Sequence, residues 1–258
     1  MKLGQKVILG ICMATISIMF LVGCGGNGST AKTEAPKVLK VGTNATFLPF
    51  EFKGDDGSYQ GFDMDLARAL GKQMGMEVEF HNIPFDGLIN TINTGEIDMI
   101  AAGMTITPER KKRVDFIKYY DDGLGIMVTD KLAGSVKTLQ DLKGKRIAVQ
   151  IGTTGAAAAH NVEGAQIREF DHNSDAMLEL KQGGADAVVS DIPVMKYYLS
   201  TTKDTHSTLV EDPISNDELG FAVKKDNKEL FEKISKALEV LKANGEYQKI
   251  YDKWFAVK

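Results

Sequence analysis

Cysteine is nearly absent from this chain of 258 residues, which has only Cys12 and Cys24. Everything after Cys24 therefore has no disulfide and no thiol chemistry. A basic excess is lacking too, because 31 Lys and Arg face 35 Asp and Glu, for a formal net charge of −4. That balance offers no electrostatic footprint for DNA or RNA. With 43% hydrophobic and 26% charged residues, the chain is globular rather than disordered or fibrous.

Motifs for bound ions and phosphates are missing as well. The turn Gly54-Asp55-Asp56-Gly57 has no further oxygen ligands at the spacing of a calcium loop. The turn Gly152-Thr153-Thr154-Gly155 opens a helix but lacks the lysine and the glycine spacing of a phosphate loop. We therefore expect no metal and no cofactor. The unpaired N–H groups of the second turn still suit an anion, with a plain turn-to-helix junction as the alternative.

The N-terminus reads as a secretory signal. Two lysines precede an apolar run over 7–22, as in a signal peptide rather than a spanning helix. The end of the run, Leu21-Val22-Gly23-Cys24, resembles the lipobox of bacterial lipoproteins, whose cysteine is acylated and becomes the first mature residue. The pattern predicts a signal peptide over 1–23, a lipid on Cys24 and a flexible tether over 24–37. A short transmembrane anchor is the alternative.

An apolar strand over 98–102 runs into a loop with the features of a carboxylate site. Gly103 allows a ligand close to the backbone, Thr105 offers a hydroxyl, and Arg110 carries a planar fork of donors. Thr107-Pro108 predicts a helix N-cap followed by proline at the first helical position. This junction would direct free N–H groups toward the same place. A turn followed by a solvated basic helix is the alternative, and the stretch alone favours neither.

The pattern of helix, glycine and strand occurs twice. Residues 92–100 and 180–188 each combine the tail of an amphipathic helix, a glycine C-cap, an aspartate and an apolar strand. The second strand runs into Ser190-Asp191, and open α/β sheets bind ligands beyond the carboxyl ends of their strands. Two such lobes face to face would place Arg110 and Asp191 on opposite sides of one cleft. An arginine for a carboxylate and an aspartate for an ammonium together select a free α-amino acid.

Local patterns assign several other residues to helices and core. Asp63 is a good N-cap for the helix that follows, and its carboxylate is interpreted as a helix starter. Phe50 and Phe52 flank an apolar strand and are predicted to be core, whereas Phe47 lies in a loop and is predicted to line a pocket. The aromatic residues over 247–255 recur at helical spacing, which is more often core than binding surface.

Five motifs give the chain a family resemblance. They are Gly61-Phe62-Asp63-Met64-Asp65-Leu66, the stretch 102–110, Gly152-Thr153-Thr154-Gly155, Asp191 and Tyr251-Asp252-Lys253-Trp254-Phe255. With them the chain from about Leu39 to Phe255 resembles the polar amino-acid family of bacterial extracellular solute-binding proteins of ABC importers, and looks most like its glutamine-binding branch. The resemblance implies a two-lobe periplasmic-binding-protein fold of the α/β class. Each lobe would be a mostly parallel sheet flanked by helices, with the ligand in the interlobe cleft. Lobe 1 would comprise 38–122 and 217–258, and lobe 2 would comprise 123–216.

The resemblance also implies the ligand contacts. Arg110 would grip the α-carboxylate, and Asp191, assisted by the carbonyl of Gly103, would take the α-ammonium. Further contacts would come from Gly103, Thr105 and Thr154 at the carboxylate, Phe47 and Phe85 as walls, and Asn44 toward the ligand. Where similar glutamine binders carry aspartate, lysine and histidine, this chain has Asn44, Gln150 and Ser190. Neutral Asn44 and Gln150 fit an amide side chain, which puts glutamine first. An arginine ligand would need more acid than the sequence locates; glutamate and cystine are further alternatives.

These features predict a lipid-anchored extracytoplasmic receptor, at the cell surface or in the periplasm, that delivers a polar L-amino acid to an ABC permease in the membrane. We expect a monomer that is not an enzyme. A dehydratase on the same fold is an alternative that needs a general acid in the cleft. Against it, the four histidines at 81, 160, 172 and 206 fall outside the predicted cleft, and no carboxylate beyond Asp191 is expected there. A sensor ectodomain is a third alternative; it would need a spanning segment after the fold, and we expect none there.

Overall fold

The structure is a computed structural model that describes residues 37–210 and 212–256. The predicted signal peptide, the lipidation site at Cys24 and nearly all of the tether lie outside these residues. Within them the chain forms thirteen strands, which are β1 (Lys37–Thr43), β2 (Thr46–Phe47), β3 (Glu51–Lys53), β4 (Tyr59–Gln60), β5 (Met76–Asn82), β6 (Met99–Ile100), β7 (Val114–Asp122), β8 (Leu124–Thr129), β9 (Arg146–Gln150), β10 (Gln166–Phe170), β11 (Ala187–Asp191), β12 (Ser207–Leu209) and β13 (Asp217–Lys224).

The same residues form eight α-helices, which are α1 (Phe62–Met74), α2 (Leu88–Thr94), α3 (Pro108–Lys111), α4 (Thr154–Ala159), α5 (Asn173–Lys181), α6 (Ile192–Thr202), α7 (Lys228–Ala243) and α8 (Glu246–Phe255). In α7, Asn227 caps the first turn by accepting the Leu230 N–H at 3.3 Å. The apolar residues over 227–244 recur at helical spacing, which predicts a helix, and in the structure they form its buried face. None of the described helices is long and apolar enough to cross a membrane.

Ten of the strands form two five-stranded sheets of the same design. The first has the order β5-β1-β6-β13-β7, with β1 parallel to β5 and β6, and β13 antiparallel to β6 and β7. The second has the order β10-β9-β11-β8-β12, with β9 parallel to β10 and β11, and β8 antiparallel to β11 and β12. The repeat seen in the sequence therefore produces two equivalent sheets, and the predicted α/β class is confirmed.

The chain passes between the two sheets at adjacent points. β7 of the first sheet ends at Asp122 and β8 of the second begins at Leu124, while the return path enters β13 at Asp217. Asp217 pairs with Asp122 across β13 and β7, so the two passages lie side by side. This strand membership supports the lobe boundaries at 122/123 and 216/217, which stay a prediction.

The terminal helix α8 covers the first sheet with its aromatic face. Phe50 is fully buried, and its ring lies 5.2 Å from that of Tyr120 and 5.3 Å from that of Phe255. Tyr247 donates its hydroxyl to the backbone carbonyl of Tyr119 at 2.7 Å. The predicted core role of Phe50 is confirmed, and its ring lies 5.9 Å from that of Phe47 on β2. Phe52 and the terminal aromatic residues are only half-buried, and the terminal ones pack against the core.

The start of α1 differs from the prediction. The N-cap is Gly61, at φ 125°, where a Cβ atom would lie 2.1 Å from the carbonyl oxygen of Phe50. Asp63 is the second helical residue, and its fully buried side chain accepts the Gly103 N–H at 3.0 Å and the Tyr119 hydroxyl at 2.7 Å. Because Phe50 and Phe62 bury this end of the helix, the carboxylate turns inward and serves the loop after β6 rather than the helix.

Strand β7 was not predicted from the sequence. Its burial alternates irregularly, since Asp115 and Lys118 interrupt the apolar residues along an edge strand of the first sheet. Both side chains make ion pairs on the surface, Asp115 with Lys225 at 2.5 Å and Lys118 with Glu218 at 2.5 Å. The strand is therefore held by pairing with β13 rather than by a regular apolar face.

Candidate functional site

A cavity lies where the carboxyl ends of strands from the two sheets face each other. The empty space in it is about 420 Å³ when the open solvent at its mouth is included. All nine ligand-binding residues expected from the sequence line it, namely Asn44, Phe47, Phe85, Gly103, Thr105, Arg110, Gln150, Thr154 and Asp191. Among the other lining residues are Glu51, Leu124, Asn173 and Ser190. The ligand contacts assigned to these residues stay predictions.

Arg110 projects from the short helix α3 into the cavity. The predicted cap is confirmed, because the Thr107 hydroxyl accepts the Arg110 N–H at 3.2 Å and Pro108 is the first helical residue. The guanidinium donates to the carbonyls of Thr105 at 2.7 Å and Gly152 at 3.1 Å, and lies 5.4 Å from the centre of the Phe85 ring. Burial lowers the pKa of Arg110 to about 10, and the charges of two nearby aspartates oppose that shift.

Asp191 ends β11 on the opposite side of the cavity. It is 6% exposed, and burial raises the pKa of its carboxyl well above the usual range, with Asp122 adding to the shift. The Arg110 charge acts in the other direction across the cavity. The hydrogen bonds of the Arg110 guanidinium nevertheless go to backbone carbonyls rather than to Asp191. One cation and one carboxyl group therefore face the same enclosed space from different sheets.

Polar contacts join the two halves around the cavity. Gln150 donates its side-chain N–H to the side-chain oxygen of Asn44 at 2.9 Å, and the hydroxyls of Thr105 and Thr154 lie 3.4 Å apart. The Arg110 bond to Gly152 is a third contact of this kind. Gln150 also donates to the backbone carbonyl of Asp171 at 3.0 Å, which leaves its own carbonyl oxygen as an acceptor for a ligand.

Gly103 allows the aromatic wall to approach the backbone closely. Its φ is +53°, and a Cβ atom there would lie 2.8 Å from the ring of Phe47. The Gly103 N–H donates to the Asp63 carboxylate, which fixes the loop after β6, and the Phe47 ring packs against the same glycine. Phe47 lines the cavity, although it belongs to strand β2 rather than to a loop, and its role as a wall for a ligand stays a prediction.

Glu51 is a functional candidate that the sequence reasoning missed. The expectation of no cleft carboxylate beyond Asp191 is wrong, because Glu51 lines the cavity while being 1% exposed. Its Oε2 atom is buried with no hydrogen-bond partner among the described residues. Burial raises the pKa of Glu51 well above its usual range, and Asp63 and Asp191 add to the shift.

The register of β2 and β3 contains the signal for Glu51. Phe47 pairs with Glu51 across these strands, so the two side chains share a face. The sequence predicts that Phe47 lines a pocket and that Phe50 and Phe52 lie in the core. Because side chains alternate between the two faces of a strand, Glu51 between these two phenylalanines is expected to face the cavity. None of the four histidines lines the cavity within the described part of the chain.

The arrangement is that of the bacterial extracellular solute-binding proteins, family 3, which residues 39–257 match. The chain belongs to this family. The family expected from the sequence is thereby confirmed, and its glutamine-binding branch stays a prediction.

Similarity to individual members of the solute-binding family covers nearly the whole described chain. The ABC transporter arginine-binding protein 1 of Escherichia coli (strain K12) is 38% identical over 231 residues, which are 88% of this chain and 94% of that protein. A solved ancestral arginine-binding protein bound to glutamine is 46% identical with a TM-score of 0.81, over 86% of this chain and all of that one. The ancestral amino acid-binding protein AncCDT-1, a precursor of cyclohexadienyl dehydratase, is 42% identical with a TM-score of 0.79, over 84% and 95% of the two chains.

Substituting Gly103 by alanine should destabilise this solute-binding protein more than the same change at Gly134. Both glycines have positive φ, so both variants carry a left-handed strain of about 1 kcal/mol. Nothing lies within 4 Å of a Cβ atom at Gly134, whereas Gly103→Ala must displace the Phe47 ring, which adds about 1–3 kcal/mol. Urea unfolding of the ligand-free variants measures the difference, and equal losses would contradict the close contact.

Proposed function

We propose that this protein is an extracytoplasmic receptor that binds a free polar L-amino acid in its cleft and delivers it to an ABC permease in the membrane. The observation that carries the proposal is the pair of opposite charges, Arg110 and Asp191, facing one cavity from two sheets. Membership in the extracellular solute-binding family and the arginine-binding name of a relative support it.

The α-carboxylate and α-ammonium of an amino acid match this pair of charges. The planar fork of Arg110 suits a carboxylate, with the hydroxyls of Thr105 and Thr154 beside it, and Asp191 suits an ammonium. Each charge-assisted hydrogen bond contributes about 1.5–3 kcal/mol. Several of them, less the cost of immobilising the ligand, reach about −8 kcal/mol, which corresponds to a micromolar dissociation constant.

Replacing Arg110 by lysine should weaken amino-acid binding by at least about tenfold, a free-energy loss of about 1.4 kcal/mol. Lysine keeps the charge but lacks the fork that engages two carboxylate oxygens. The matched control is Arg113→Lys, because Arg113 contacts Asn90 outside the cavity at 2.5 Å and should leave affinity unchanged. Calorimetric titration, after a melting scan against the twenty amino acids has found the ligand, measures both variants.

Binding of the ammonium group should require the negative charge of Asp191. Asp191→Asn keeps the shape of the side chain but removes the counter-charge, so affinity should fall. Unchanged affinity in this variant would overturn the assigned role of Asp191.

Stabilisation by none of the twenty amino acids, together with turnover of arogenate or prephenate, would support a dehydratase instead, since the buried carboxyl of Glu51 has the raised pKa of a general acid.

Two ligand classes fit the side-chain end of the cavity. Neutral Asn44 and Gln150 suit the amide of glutamine, the ligand favoured by the sequence, and an arginine-binding relative of known structure is bound to glutamine. The sequence argued against arginine because it located too few acidic residues for the guanidinium of that ligand. Glu51 supplies a further acidic residue at the cavity, so this argument no longer holds. The cavity is lined by one cation and two acidic groups, so a zwitterion leaves Glu51 available for a third, positive group.

Substituting Glu51 by glutamine should separate the two ligands. Arginine affinity should fall at least about tenfold, because the variant cannot ionise to balance the guanidinium, while glutamine affinity should change by less than about threefold. The matched control is Glu218→Gln, whose carboxylate pairs with Lys118 on the surface. Equal changes for both ligands would mean that Glu51 does not select between them and would leave glutamine first.

We further propose that Cys24 carries the lipid that anchors the receptor as a monomer to the cell membrane. Cys24→Ser should move the protein from the membrane fraction to the soluble fraction and remove the acyl mass from the N-terminal peptide. Cys12→Ser is the matched control and should leave anchoring intact, because position 12 lies inside the predicted signal peptide. Retention of Cys24→Ser in the membrane fraction would support the transmembrane-anchor alternative.

A further inference from the structure

Asp122 is a buried carboxyl group that has no part in the proposed contacts of Arg110 and Asp191 with an amino acid. It is the last residue of β7, at the point where the chain leaves the first sheet for the second. Both of its oxygens are buried without a well-formed hydrogen bond among the described residues. A buried carboxylate with unsatisfied oxygens costs free energy, so this position needs either a proton or a partner.

The neighbour of Asp122 is the carboxyl group of Asp191. The Ile192 N–H donates to the Gly123 carbonyl at 2.8 Å, and Asp191 pairs with Leu124 on β8. Asp191 at the end of β11 is therefore adjacent to the segment that follows Asp122 at the end of β7. The two carboxyl groups approach closely enough for each to shift the pKa of the other. Two carboxyl groups at this separation form a stable pair only when one of them carries a proton.

We propose that Asp122 shares a proton with Asp191 while the cleft is empty, and that the ammonium group of an incoming amino acid displaces this proton to solvent. The inference rests on the proposed function, since it assigns the ammonium to Asp191. The proton leaves the carboxyl pair, and the ammonium keeps its own three protons and its charge. Asp122 thereby acts as a positioning residue, which holds the Asp191 carboxyl in place until a cation arrives.

Several charged groups face this carboxyl pair. Asp217 on β13 is acidic and favours retention of the proton. Glu51 on β3 also faces Asp191, whose charge raises the pKa of Glu51. Arg110 on α3 and the N–H of Gly123 favour ionisation. Burial outweighs the ionising contacts, because the pKa of Asp122 is raised to about 6 and that of Asp191 well above its usual range. The neighbouring phenols of Tyr119 and Tyr120 stay neutral, since burial raises their pKa values.

The pH dependence of binding follows from the sign of this linkage. Below the pKa of the pair, binding releases a proton, so affinity should rise with pH by up to about tenfold per pH unit. Above it, the pair is already ionised and affinity should level off. Since Asp122 is not among the residues that line the cavity, removing it should change this profile without removing the ammonium site itself.

Calorimetric titration at pH 5.5 in two buffers of different ionisation enthalpy tests the proposal on Asp122→Asn. The probes are L-glutamine and L-arginine, each titrated into wild type and variant. The wild type should release up to one proton more than Asp122→Asn for the same ligand, because the asparagine amide donates to Asp191 and has no proton to lose. The affinity of the variant should also vary less between pH 5 and 7. Subtracting variant from wild type cancels any proton released from Glu51.

Two further variants keep the test decisive. Asp217→Asn removes a neighbouring acid but keeps the carboxyl pair, so it should still release the proton. Asp122→Ser supplies a small neutral donor and replaces Asp122→Asn if that variant does not fold. The same proton release and pH profile in wild type and in the folded Asp122 variant would overturn this inference while leaving the receptor intact. Binding of neither probe, nor of any of the other eighteen amino acids, would overturn the proposed function and this inference with it.

Discussion

Two opposite charges that face one enclosed space without neutralising each other are the constraint on which this structure depends. Burying a charge costs free energy unless it is paired or hydrogen-bonded. Hydrogen bonds to two backbone carbonyls and contact with the Phe85 ring offset the cost of burying the Arg110 guanidinium. The carboxyl of Asp191 lies beside that of Asp122. Among the described residues the two groups do not form an ion pair with each other, so both remain available to a dipolar ligand.

The two-sheet design supplies these charges from opposite directions. In each sheet three parallel strands end on the same side, and these strand ends and the loops after them carry most of the polar groups of the cavity. The two halves meet there through hydrogen bonds such as Gln150 to Asn44 and Arg110 to Gly152. Because water can replace hydrogen bonds at small net cost, these contacts suit a cleft that must admit a ligand.

The loop after β6 shows how closely support and site are connected. Asp63 holds the Gly103 N–H from the first turn of α1, and Tyr119 holds Asp63 from β7. Tyr119 is in turn contacted by Tyr247 of the terminal helix. A chain of contacts thus runs from the last helix of the fold to the glycine against which Phe47 packs, so residues far apart in sequence set the shape of the cavity wall.

Local sequence determined those features of the protein that depend on neighbouring residues. The cap formed by Thr107 and Pro108 sets the start of α3, Asn227 starts α7, and the repeated pattern of helix, glycine and strand yields two equivalent sheets, because hydrogen bonds and apolar periodicity within a few residues suffice for each. The tertiary structure alone decided that Asp63 turns inward, that the inward-facing Glu51 meets Arg110 and Asp191 at one cavity, and that Asp122 lies beside Asp191. A carboxylate has the same chemistry on a surface and in a core, and only packing between distant segments removes the water that would otherwise solvate it.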